Sequence, residues 1–234
     1  MDIEEYAAYT HFYSEQVPAL LSDLLAPSRA ASTFIDIGCG DGGLLFALKT
    51  QGLLEGKTVH AVDLSKQRIE LVKKLDSRFH CVVSDASSIP SIQDGSCDVV
   101  ASTQVIEHVE NELKMLQEIS RILKKDGKIF LSTVFKRWYG WYFYRCGGNW
   151  VLDPTHLREY TRDSQLLDLI EAAGLKVVVE KKTLFRFPLI DFALRRLSVS
   201  GQRILKNRFL TQVRKLIQVP IPGYYNWEMI LTKR

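Results

Sequence analysis

The stretch Phe34-Ile35-Asp36-Ile37-Gly38-Cys39-Gly40-Asp41-Gly42-Gly43 decides the fold. Its first residues continue a short apolar run from Thr33 that reads as a buried strand. Its glycines permit a tight turn with positive φ and leave backbone bare for a ligand. Residues 44–51 then read as a helix, whose first N–H groups favour a negative group. Because Gly43 follows Gly42, the run also satisfies G-x-G-x-x-G. A dinucleotide therefore has to be weighed, and the loop alone does not decide.

Working outward, strands and helices alternate. Residues 57–63 read as a second strand, followed by a helix with Ser65 as N-cap and Ile69, Val72 and Leu75 on one face. Residues 79–84 and 97–102 read as strands three and four. An amphipathic helix over 109–124, a turn at Lys125-Asp126-Gly127 and a fifth strand over 128–134 follow. Later come a helix over 164–173 stopped by Gly174, a strand over 175–183, and a last strand over 227–231 entered from the turn-like Ile221-Pro222-Gly223. This order predicts an α/β fold with a mostly parallel sheet. One domain over 1–234 is expected: an N-terminal helical cap (1–28), a binding core (29–134), an aromatic insert (135–160) and a basic helical insertion (185–222) before the last strand.

The 234 residues suffice for one such core. No apolar run reaches membrane-spanning length, and the acidic, aromatic N-terminus does not read as a signal peptide, so a cytoplasmic location is expected. Cys39, Cys81, Cys97 and Cys146 show no metal-ligand spacing; they read as free thiols, with no metal site expected. The net charge of +4 is unevenly spread. Between Lys181 and Lys215 ten basic residues face the single acid Asp191, a net +9 that leaves −5 for the remainder.

Asp36 breaks the tie left by the glycines. It stands at the carboxyl end of the strand, where a carboxylate beside a pyrophosphate would add like-charge repulsion. A phosphate-free, cationic nucleoside such as S-adenosylmethionine turns that acid into an asset. Asp63 closes the second strand about 20 residues on, where it can accept both ribose hydroxyls. Asp85 closes the third and, with the Ala86 backbone, can read an adenine edge. Each Asp alone also fits a cap or turn. Three at successive strand ends are harder to dismiss, because ligands bind at that edge of such sheets.

With these pieces, the sequence resembles the class I S-adenosylmethionine-dependent methyltransferases, particularly the ubiquinone/menaquinone-biosynthesis group. The matching pieces are Asp36-Ile37-Gly38-Cys39-Gly40-Asp41-Gly42, Ala61-Val62-Asp63-Leu64-Ser65, Ser84-Asp85-Ala86, Asp98-Val99-Val100-Ala101-Ser102 with Val105-Ile106-Glu107-His108-Val109, Leu123-Lys124-Lys125-Asp126-Gly127-Lys128, and His156-Leu157-Arg158-Glu159-Tyr160-Thr161. The resemblance implies a Rossmann-like seven-stranded sheet in order 3-2-1-4-5-7-6, strand 7 antiparallel. It implies that Asp36, Gly38, Cys39, Gly40 and Gly42 hold the methionine moiety, Asp63 and its neighbour Leu64 the ribose side, and Asp85 and Ala86 the adenine. Ser102, Thr103 and Gln104 would line the methyl-transfer mouth, with S-adenosyl-L-homocysteine as product. The Asn/Asp-Pro-Pro-aromatic stretch of amino-methylating nucleic-acid enzymes is replaced by Ser102-Thr103-Gln104-Val105, and no Pro-Cys nucleophile occurs.

The acceptor side is less constrained. Trp138, Tyr139, Trp141, Tyr142, Phe143, Tyr144 and Trp150 crowd the insert after strand five, as a lid for an apolar or aromatic acceptor or as rings packing the insert. His156 is the candidate general base, with a structural or orienting role as its alternative. Glu107-His108 reads as mainly structural, with a place near the substrate as its alternative, and Tyr6, Tyr9 and Tyr13 as packing, with closure of the pocket from the N-terminus as theirs. The basic insertion suits an anionic membrane surface, nucleic-acid phosphate or a solvated cover. A small-molecule or lipid-like acceptor is expected first. RNA or protein methylation with the basic segment as docking arm, and a non-catalytic binding module, are the alternatives.

Overall fold

A computed structural model of the chain describes residues 16–26, 32–146, 148–188, 209, 213 and 216–234. In chain order its elements are α1 (Ala19–Leu25), β1 (Thr33–Ile37), α2 (Gly43–Thr50), β2 (Thr58–Asp63), α3 (Lys66–Leu75), β3 (His80–Val83), β4 (Cys97–Thr103), α4 (Glu112–Ile122), β5 (Leu123–Lys136), β6 (Tyr144–Cys146), β7 (Asn149–Val151), α5 (Ser164–Ala172), β8 (Leu175–Pro188) and β9 (Gln218–Lys233). Seven strands form one sheet in the order β3-β2-β1-β4-β5-β9-β8. β1 to β5 pair in parallel, and β9 runs antiparallel to both neighbours. β6 and β7 make a separate hairpin. Counting only strands of the large sheet, this is the expected 3-2-1-4-5-7-6 arrangement.

The topology places the site. The chain steps outward from β1 to β2 and β3, then returns to β4 on the other side of β1. The carboxyl ends of β1 and β4 are therefore a switch point, where a crevice opens in such sheets. Ile35, Ile37, Val100 and Leu131 meet Met115 and Ile119 of α4 on one face. Phe34, Val99 and Phe130 meet Leu21, Leu45, Leu48 and Ile69 of the first three helices on the other. Each fully buried Leu or Ile contributes roughly 1.5–3 kcal/mol, so the rim rests on a rigid base.

Several boundaries differ from expectation. The N-terminal helix begins only at Ala19, with Pro18 at its N-cap; the expected helical residues 2–15 lie outside the described residues. Ser65 caps α3 by accepting from the Arg68 N–H at 3.3 Å, as expected. The helix expected over 109–124 is trimmed to Glu112–Ile122, because the Asn111 side chain accepts from the Lys114 N–H at 2.9 Å and fixes the start there. Lys125-Asp126-Gly127 lies within β5 where the ladder with β4 shifts register. Both flanks of the expected helical insertion are strand. Residues 185–188 end β8, residues 218–222 open β9, and the two pair from Arg186↔Pro220 to Pro188↔Gln218. Ile221-Pro222-Gly223 is thus strand interior, not an entry turn. Of the insertion's middle only residues 209, 213, 216 and 217 are described, the first three helical. No helix among the described residues is long and apolar enough to cross a membrane.

Candidate active site

The loop after β1 is shaped by backbone demands. Gly38, Gly40 and Gly42 have φ of +72°, +56° and +89°. A Cβ on Gly38 would overlap Val105, and one on Gly42 would come within 2.5 Å of Leu75. The Gly38 and Cys39 N–H groups donate to the Val62 carbonyl at 2.8 and 2.9 Å. Asp63, at the end of β2, completes the tie: Oδ2 accepts from the Gly40 N–H and Oδ1 from the Ser65 N–H, each at 2.9 Å. Asp63 thus holds the loop and the start of α3 with its first lone pairs, and each oxygen retains another for a ligand.

Asp36 is different. It is wholly buried, and neither carboxylate oxygen has a hydrogen-bond partner among the described residues. Desolvation, with the Asp63 charge second, pushes its pKa up to about 7. Partnerless buried carboxylates are costly, and a ligand ammonium would relieve this one. Cys39 is buried beside it, its thiol held protonated first by desolvation and then by Asp36. Leu64 is half exposed at the rim. Asp85 lies two residues past β3 and is exposed, with Oδ1 taking the Ser87 N–H at 2.7 Å and its hydroxyl at 2.6 Å; Ala86 packs against the core.

Across the crevice, Ser102 pairs with Ile37 and is buried, its Oγ without a partner among the described residues. Thr103 ends β4, and Gln104 follows with φ +54°, a conformation non-glycine residues take at a cost. Two bonds hold it there: its N–H to the Ser132 carbonyl at 2.9 Å and its side-chain amide to Asn226 Oδ1 at 3.0 Å.

His156 sits in a turn after β7, eight residues ahead of α5, which starts at Ser164. It is buried, with Nδ1 3.0 Å from Glu159 Oε1. Glu159 also accepts from the Leu152 N–H at 2.6 Å and faces Lys136 Nζ at 3.7 Å. His108, likewise in a turn ahead of α4, packs edge-on against His156 with ring centres 4.8 Å apart. Its Nδ1 lies 3.1 Å from Thr155 Oγ1, and burial, with His156 next, drops its pKa to about 4. Glu107 is buried, one oxygen accepting from Thr133 Oγ1 at 2.9 Å and the other partnerless among the described residues; desolvation raises its pKa to about 7. Glu107, His108 and His156 present ligand atoms within 4.8 Å of one another, donor types a divalent cation accepts, at a place where the sequence suggested no metal.

Sequence reasoning missed Glu159, Lys136 and Asn226 as parts of this site. Only the His-x-x-Glu spacing hinted at Glu159. The aromatic insert forms the β6–β7 hairpin, tied to the sheet by the Trp150 carbonyl, which accepts from Lys136 and from the Tyr224 hydroxyl at 3.0 Å. Tyr142 packs toward Val134, Ile221 and Tyr224. Tyr6, Tyr9 and Tyr13 lie outside the described residues.

A seven-stranded sheet of this order, with a glycine loop at its switch point and acids at the rim, defines the class I α/β methyltransferase fold. Residues 9–180 match a family described as a methyltransferase domain, and the chain belongs to that family, whose class I members use S-adenosylmethionine. Among curated relatives, a malonyl-[acyl-carrier protein] O-methyltransferase of Marinomonas sp. is 28% identical over 75% of this chain and 63% of its own length. A ubiquinone biosynthesis O-methyltransferase of Idiomarina loihiensis is 29% identical over 68% of each. The chain thus spans about two thirds of the length of these relatives. Of solved structures, the [4+2]-cyclase SpnF superposes with a TM-score of 0.63 at 19% identity, covering 97% of this chain and 87% of its own. At that identity the likeness speaks for the fold alone.

Proposed function

We propose that this protein transfers the methyl group of S-adenosylmethionine to an oxygen of a small, apolar or aromatic acceptor. The observation that carries the reading is Asp36: a buried carboxylate with no partner among the described residues, beneath a glycine loop and beside Asp63. That rim fits a cationic, phosphate-free nucleoside and opposes a pyrophosphate. Asp36 and the loop backbone would hold the amino-acid end, Asp63 the ribose, Asp85 and Ala86 the adenine, with Leu64 alongside and Ser102, Thr103 and Gln104 facing the methyl. Both relatives named above are O-methyltransferases, which favours oxygen as the accepting atom.

When bound, the donor supplies a sulfonium methyl already activated for in-line displacement. It would give up that methyl to the acceptor oxygen while keeping the bonding pair on sulfur. The residues of this chain position, desolvate and move the proton. With Nδ1 turned to Glu159, His156 has Nε2 left to take the hydroxyl proton of an acceptor. Tyr142 and Trp150 would form the inner wall of an aromatic lid over the acceptor.

The test is transfer of a labelled methyl group to hydroxylated aromatic and acyl-chain acceptors, with product identified by mass spectrometry. Label on an oxygen of any of these supports the reading. Tight binding of S-adenosylhomocysteine with no transfer to any small molecule, but transfer to RNA or protein, would contradict it.

A further inference from the structure

The segment between β5 and β7 leaves many rings in water. Trp138 is 90% exposed and Phe143 74%, with Tyr139, Trp141 and Tyr144 also exposed. They fall into two groups on one short segment: Trp141 contacts Phe143 at 5.2 Å and Trp150 at 5.7 Å between ring centres, and Trp138 contacts Tyr139 at 5.5 Å. So many large apolar rings left in water on one segment signal a partner. From Lys136 to Leu152 the sequence holds Lys136, Arg137 and Arg145 and no acid. Arg137 and Arg145 are exposed, the latter lying 4.2 Å above the Trp150 ring.

The patch continues onto the end of the β8–β9 hairpin. The Arg137 N–H donates to the Gly223 carbonyl at 2.8 Å and the Trp141 N–H to the Pro222 carbonyl at 3.4 Å. A few residues earlier on that strand side, Leu216 (79% exposed), Ile217 and Val219 face solvent. The chain joining β8 to β9 there carries most of the +9 excess of basic residues. Aromatic anchors, open aliphatic side chains and cations without acids make up the surface that an anionic bilayer attracts. Exposed aliphatics distinguish it from a nucleic-acid groove, which stacks bases on rings and has no use for Leu216 or Ile217.

We propose that this face docks on an anionic lipid surface, with Trp138, Trp141 and Phe143 entering the interfacial layer and Arg137 and Arg145 meeting the headgroups. The inference goes beyond methyl transfer and does not depend on it. Docked in this way, the carboxyl end of β5 would face the bilayer, so that an acceptor dissolved in lipid lies close to the crevice.

Full-length protein mixed with phosphatidylcholine vesicles, with and without phosphatidylglycerol, tests this by co-sedimentation and tryptophan fluorescence. Three of the four tryptophans lie in the segment and the fourth, Trp227, is buried, so brominated lipids report on the patch. The expected result is sedimentation with anionic vesicles, weakened by salt, with quenched and blue-shifted emission. A W138S/W141S/F143S variant should lower partitioning at least tenfold while its S-adenosylhomocysteine affinity stays within twofold. A wild type that stays in the supernatant at low salt overturns the proposal, as does equal binding by the variant. So does salt-sensitive retention of RNA without vesicle binding, or a stable dimer that buries the rings. Loss of cofactor binding with vesicle binding intact would instead count against the methyltransferase reading alone.

Discussion

Because Asp36 is buried without a hydrogen bond among the described residues, its ionisation is set by what arrives. Its folded pKa of about 7 lies above the ordinary value of 3.8. The folded chain therefore binds the proton more tightly than the unfolded chain. The resulting penalty is absent below pH 3.8, grows as pH rises, and is complete above 7. Asp36→Asn should stabilise the unliganded protein at pH 8 by up to about 4 kcal/mol, read by urea denaturation, and by far less at pH 4. Wild-type affinity for S-adenosylhomocysteine should rise from pH 6 to pH 8 as the carboxylate ionises, while the Asn variant binds weakly at both; calorimetry at the two pH values decides. Asp63 holds Gly40 and Ser65, and in the proposed reading it would also meet the ribose. Asp63→Ala should weaken S-adenosylhomocysteine binding by about 1–3 kcal/mol, and unchanged affinity would remove Asp63 from the site. Both acids were legible in the sequence from their place at strand ends. That Asp36 lacks a partner among the described residues was not, because it depends on what the loop above it leaves unsatisfied.

Among the elements, the turns before α4 and before α5 act as one unit. The Leu157 N–H donates to the Glu107 carbonyl at 3.0 Å, and Thr155 bonds His108, so His108 and His156 are locked face to edge. Glu159 extends the unit to the hairpin through the Leu152 N–H and to β5 through Lys136. His156→Ala should lower kcat far more than it weakens S-adenosylhomocysteine binding, and unaltered turnover would assign His156 to structure. Glu159→Gln should lower kcat as well, with a stability loss of about 1–3 kcal/mol by thermal unfolding. Sequence spacing could not reveal this unit, since its halves stand about 48 residues apart and meet only through the sheet. The first five strands were legible because each is an apolar run bounded by turn residues. β8 and β9 ran longer than read because Pro188, Pro220 and Pro222 look like breakers. They are accommodated where the hairpin projects beyond β5, whose pairing with β9 reaches only Tyr224, and where the ladder shifts between Leu184 and Arg186.

For the whole molecule, alternation of strands and helices pointed to a parallel α/β sheet, but the strand order came from resemblance, not from periodicity. The structure bears that order out and brings the glycine loop, Asp36 and Gln104 to the carboxyl ends of β1 and β4, the switch point of the sheet. The charge map divides likewise, with acids at the carboxyl ends of β1 and β2 and a basic, aromatic face at the end of β5 and the start of β9. The most direct measurement is a crystal structure of the protein soaked with S-adenosylhomocysteine. The adenosyl group should lie across the carboxyl ends of β1 and β2, its ammonium at Asp36 and its ribose on Asp63. A rim left bare at saturating ligand, or one filled instead by a soaked dinucleotide, would contradict the assignment.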